Sequence, residues 1–105
     1  YPYKLIIRMK TLMDETLNNQ ADWVLFDSYF NSTHQNFMDR LRQRYSDLTT
    51  GDLRNCCLLR MNLSTKEIAS LMNVYVRAIE LRRYRLRKRL ELEGDTNLVD
   101  FLMNF

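Results

Sequence analysis

Apolar positions recur along most of this chain with a helical rather than an alternating period. In residues 3–17, Leu5, Met9, Leu12 and Thr16 follow one another at alternating steps of four and three, flanked by Ile6 and Met13. That spacing draws one apolar stripe on a helix and predicts a coil-like element over about 3–17. Trp23, Phe26, Tyr29/Phe30 and then Phe37, Leu41 and Tyr45 carry the same period forward. They predict helices over about 20–31 and 34–45, broken near Asn31-Ser32-Thr33, where a hydroxyl can cap. His34 falls at the start of the second of these and reads as a surface or capping residue.

Downstream the pattern predicts four helices in quick succession. Thr49 or Thr50 starts one that runs to about Met61, and Asn62 fits the left-handed position that ends a helix where Gly is absent. Ser64-Thr65-Lys66-Glu67 has the form of a capping box, in which the Ser64 hydroxyl accepts from the Glu67 amide and the Glu67 carboxylate accepts from the Ser64 amide. The helix it opens buries Ile68, Ala69, Leu71 and Met72 and stops at Asn73. Only Asn73-Val74-Tyr75 separates it from the next, expected over about 76–91 with Gly94 breaking it. So short a turn is that of a helix-turn-helix or of an ordinary helical hairpin. A last short helix carries Leu98, Phe101 and Leu102 on one face.

Composition narrows the class to all-α. The chain has 105 residues, enough for one small core. With two Gly and one Pro it lacks the tight turns of a sandwich or barrel. The formal charge of +3 changes the picture only when divided by position. Residues 77–89 hold Arg77, Arg82, Arg83, Arg85, Arg87, Lys88 and Arg89 against Glu80 alone, a local charge of +6, which leaves −3 for the remainder. A concentrated basic stripe is the footprint of a phosphate-backbone binder. Projected at about 100° per residue, Ile79, Leu86 and Leu90 form the core face of 76–90, with Val76 nearby. The opposite side collects Arg77, Glu80, Leu81, Tyr84, Arg85 and Lys88. Arg and Lys suit phosphates or guanine edges there, Leu81 a thymine methyl, and Glu80 a cytosine amine. The same Leu81/Tyr84 patch would also serve a protein contact.

Catalytic chemistry finds little support. Cys56 and Cys57 are adjacent, and with His34 alone beside them no zinc set can be assembled; they read as structural thiols of a reducing compartment. No Gly-rich phosphate loop and no nucleophile–base–orienter group is visible. No apolar run reaches the roughly 18–20 residues of a membrane helix, and no signal-peptide pattern opens the chain. The start at Tyr1-Pro2 suggests a fragment or processed product.

Taken in order, Leu48-Thr49, Asp52, Asn62-Leu63-Ser64-Thr65-Lys66-Glu67-Ile68-Ala69, Leu71, Val74, Ala78-Ile79, Leu86 and Arg89-Leu90 resemble the LuxR-type helix-turn-helix. This is the four-helix output domain of many bacterial response regulators and quorum sensors. The likeness covers about residues 46–105, and the Ser-Thr-Lys-Glu-Ile-Ala run is its most specific part. Upstream, Trp23, Phe26, Phe30, His34, Phe37, Leu41 and the run Cys56 to Ala69 are similar to domains that end large bacterial sensor proteins.

The resemblance implies base reading by Glu80, Leu81 and Tyr84 and phosphate contacts at or near Thr65, Lys66, Arg77, Arg85 and Lys88. It implies a dimer contact by the last helix through Leu98, Phe101 and Leu102, the alternative being packing of these three within the chain. Tyr75 stands where the family usually has Ser, Ala78 where it has Thr, and Glu80 where it often has Lys. The expectation is therefore an all-α protein in which connector helices (residues 1–45) lead into a helix-turn-helix bundle (46–105). It would be the cytoplasmic output end of a larger sensor, bind double-stranded DNA as a homodimer, and need no cofactor. The alternative is a protein-interaction module built on a degenerate helix-turn-helix surface.

Overall fold

A computed structural model of the protein describes residues 20–105, with side chains from Trp23 onward. The coil-like helix expected over 3–17 lies outside the described residues. Among those described, the chain forms six helices and no strand: α1 (Gln20–Thr33), α2 (Phe37–Arg44), α3 (Thr50–Arg60), α4 (Thr65–Met72), α5 (Val76–Arg89) and α6 (Leu98–Met103).

Side chains spaced by three and four along α1 fall on one stripe, and that stripe is what α1 buries: Trp23, Phe26 and Phe30. Phe30 meets Phe37 edge-on at 5.8 Å, and Phe37 meets Phe105 in the same way at 6.0 Å, so the aromatic row runs from α1 to the end of the chain. Trp23, Phe26, Phe30, Phe37, Met38 and Leu41 belong to one core together with Leu53, Leu58, Ile68, Ile79, Leu86 and Leu102. Residues 20–45, expected as connectors, thus pack into the same interior as residues 48–102. Burying about ten large apolar side chains at roughly 1.5–3 kcal/mol each is the main force holding the helices together. Arg54 closes the outer seam between α1 and α3. It donates to both carboxylate oxygens of Asp27, at 3.2 and 3.0 Å, and lies over the Trp23 ring.

The break between α1 and α2 falls later than the sequence predicts. Ser32 and Thr33 do not cap a new helix; their hydroxyls donate back to the Tyr29 carbonyl at 2.8 and 3.0 Å, which keeps them inside α1. The chain turns instead at Gln35 and Asn36, both left-handed (φ 56° and 58°). His34 is consequently neither a cap nor a free surface group: its ring stacks on Phe30 at 3.9 Å.

Three later helices end alike. After α3, Asn62 is left-handed, and the amides of Asn62 and Leu63 donate to the carbonyls of Leu59 and Leu58. After α4, Asn73 repeats the arrangement with Ser70 and Ala69. After α5, Glu91 does so with Leu92 as the second donor, to Lys88 and Arg87. These are Schellman closures, each satisfying two orphan carbonyls. The third ends α5 at Arg89, two residues short of the expected 91, and Gly94 takes no part, since its φ is not positive.

Candidate nucleic-acid interface

Two capping boxes set the start of α3 and of α4. Thr49 Oγ1 accepts from the Asp52 amide, while Asp52 accepts from the Thr49 amide, both at 3.1 Å. Ser64 and Glu67 do the same for α4, at 3.1 and 2.8 Å. Helix α4 packs on α5 across the three-residue turn Asn73-Val74-Tyr75. Tyr75 occupies the N-cap of α5 without a side-chain capping bond. The residue is 88% exposed.

On α5, Ile79 and Leu86 are buried, as is Leu90 at its C-cap, whereas Val76, expected near the core face, is exposed. The structure brings Arg77, Glu80, Leu81, Tyr84, Arg85 and Lys88 together on one exposed face. Leu81 and Tyr84 are 52% and 58% accessible. The Lys88 ammonium sits 4.6 Å from the centre of the Tyr84 ring, an attraction that holds the two side chains side by side. Lys66 is exposed on α4 and Thr65 half-buried at its first position.

Of the four remaining cations of the basic stretch, three are engaged within the protein. Arg89 pairs with the buried Asp52, the same carboxylate that caps α3. Arg87 donates to the carbonyls of Glu93, Gly94 and Thr96 and so holds the loop after α5. Arg82 reaches the Met72 sulfur at 3.7 Å, and Arg83 is half-buried. Their positions explain this: all four project within about 90° of the line through Ile79, Leu86 and Leu90, while Arg77, Arg85 and Lys88 project beyond it. The angle, rather than the charge count, is the signal that separates them.

Leu98 and Leu102 of α6 are buried in the core, and Phe101 packs against Tyr45 and Phe105. Of the two readings of these residues, packing within the chain is the one Leu98 and Leu102 follow, and neither offers surface to a second molecule. Below them Arg60 donates to the Leu102 carbonyl and lies over Phe37 at 4.6 Å, while Arg40 donates to the Phe105 carbonyl. These two arginines were not singled out from sequence; no local pattern marks a cation that caps a helix end 42 residues away.

Both cysteines are free thiols, fully buried, and burial pushes each thiol well up from its ordinary range, which leaves them protonated and unreactive. Among the described residues, no group of three or more His, Cys, Asp or Glu could hold a metal ion, and no helix is long and apolar enough to cross a membrane. Among the described residues one buried amide goes unserved: Asn55 in α3 has neither its oxygen nor its nitrogen hydrogen-bonded. Comparison with protein-family models, with curated proteins and with solved structures yields no match to this chain.

Proposed function

We propose that this chain is a DNA-binding output module in which α5 enters the major groove and α4 braces against the backbone. The observation that carries the reading is the exposed face of α5, where Arg77, Arg85 and Lys88 surround Leu81 and Tyr84. A face that needs only solubility has no use for a leucine and a tyrosine half exposed among cations, whereas a groove presents phosphates to the cations and base edges to the rest. The LuxR-type pattern of residues 46–105 supports the same reading, as does the helix pair joined by three residues. Thr65 and Lys66 would meet phosphates, and two copies on one site would read half-sites spaced by roughly one turn of DNA. The module works by binding without chemistry, in the cytoplasm, downstream of a sensor module in the same polypeptide.

A mobility-shift titration against genomic duplex fragments at low and moderate salt tests this. Affinity that falls steeply with salt is the expected result; no binding, or binding indifferent to salt, overturns the proposal. Arg85→Ala is expected to weaken binding to all sequences alike, while Tyr84→Ala changes the order of preference. The exposure of Leu81 and Tyr84 also favours a second reading, a protein-docking surface. Arg85→Ala combined with Lys88→Ala separates the two, since a protein contact through the apolar pair would largely survive it and DNA binding would not.

A further inference from the structure

We infer that Glu80 makes α5 selective for cytosine, with Leu81 reading a thymine on the neighbouring base pair; the inference rests on the DNA-binding reading above. Glu80 is the sole acidic residue in α5, and it stands at the rim of the cationic face, one turn from Arg77. A carboxylate there opposes the approach of a polyanion, so its presence needs a compensating contact. It has no such contact within the protein: among the described residues Glu80 makes no hydrogen bond and no ion pair, although Arg77 lies three residues before it, at a spacing where a helical pair could form. Arg77, Glu80 and Leu81 instead line an open hollow of about 400 Å³. An acceptor-only group, an aliphatic side chain and a cation thus share one concavity on the proposed reading face.

The major-groove edges of the bases decide what fits it. Guanine presents two acceptors and thymine an acceptor beside its methyl, neither with a donor for a carboxylate, and adenine sets its amine next to the N7 acceptor. Cytosine presents its 4-amine and no acceptor of its own. It is the base whose edge matches a lone carboxylate. Leu81, one residue on, supplies the apolar contact that a 5-methyl group accepts. A cytosine stepped against a thymine is the pair of features this hollow complements, and a guanine in the place of that cytosine is refused.

The test uses the 105-residue chain, first selecting binders from a randomised duplex library at low salt. Fluorescence anisotropy then compares the selected duplex with its single-base variants, for the wild type, Glu80→Gln and Leu81→Ala. Both variants should show the circular dichroism of the wild type, because both positions are exposed. Selected duplexes are expected to share a cytosine beside a thymine, and changing that cytosine to guanine to cost the wild type about tenfold or more in affinity. Glu80→Gln, which can donate as well as accept, should bind the two duplexes within about threefold of each other, and should bind random duplex more tightly. Leu81→Ala should lose the thymine preference and keep the cytosine one. If the wild type selects a sequence and Glu80→Gln keeps the same preference and penalty, this inference falls while DNA binding stands. If the wild type retains no duplex even at low salt, both fall.

Discussion

Ser64 and Glu67 exchange two hydrogen bonds across three residues, and nothing outside that tetrad is needed to form them. Ser64→Ala removes the acceptor for the Glu67 amide at the start of the helix that supports α5. A loss of about 1 kcal/mol in stability is expected, measured by urea unfolding. Because both partners lie within one turn, this cap is legible in the bare sequence; at α3 the sequence leaves Thr49 and Thr50 as equal candidates, and the structure selects Thr49, paired with Asp52. His34 is the contrary case. Its stack on Phe30 is an i, i+4 contact, visible in principle, but it requires α1 to continue through Ser32 and Thr33, whose turn-forming types suggest a break instead. Burial, and then the Arg60 charge, hold the His34 imidazole below its ordinary range. The unfolded chain therefore binds more protons, so stability declines as pH falls below about 6.5 toward the lowered folded value and is unaffected above it. Thermal melts from pH 7.5 to 5 should show this slope, and His34→Gln should flatten it.

Helix ends at the scale of whole elements show a protein that manages with almost no glycine. Asn62 and Asn73 adopt left-handed backbone with an amide side chain suited to it, and both stops are readable from sequence. Glu91 has no such aptitude. It is driven left-handed because Leu90 and Leu92 turn toward the core on either side of it and Arg87 grips the loop that follows. Gly94 is the conspicuous helix breaker in the sequence and the wrong one, since tertiary packing stops α5 earlier. Glu91→Gly should relieve the strain and raise stability by about 0.5–1 kcal/mol, read as a higher urea midpoint at unchanged slope. The elements themselves were legible where a 3.6-residue stripe exceeds two turns, as in α1, α3 and α5. Their boundaries were legible only where a local cap fixes them.

Across the whole molecule the basic stretch divides into two populations. Arg82, Arg87 and Arg89 are spent on holding α5 to Met72, to its own following loop and to Asp52. Arg77, Arg85 and Lys88, joined by Lys66 from α4, stay exposed. For the DNA binding proposed above, four such cations predict a slope of about −3.6 for log affinity against log salt per chain, well short of what seven basic residues in α5 would give. Arg85→Gln should reduce that slope by about 0.9, whereas Arg87→Gln should leave it unchanged and lower the melting temperature. Anisotropy titrations at four or five salt concentrations would resolve the two. The exposed side and the core side of α5 were legible because one projection defines both. The Arg89–Asp52 pair and the unserved Asn55 amide were not, since each depends on how helices distant in sequence meet. The same holds for α6, whose three apolar residues fit an internal and an external partner equally well until α6 is seen to pack on α3, with Phe101 against Tyr45 and Phe105.

Asp52 does two things at once, capping α3 and gripping Arg89, and the grip falls at the far end of α5. At the near end Tyr75 offers no cap. The tail of the helix is thus tied by an ion pair and its nose by packing alone, through Ile79 in the first turn. One carboxylate therefore serves two helices, so that its loss would unseat the start of α3 and the end of α5 together.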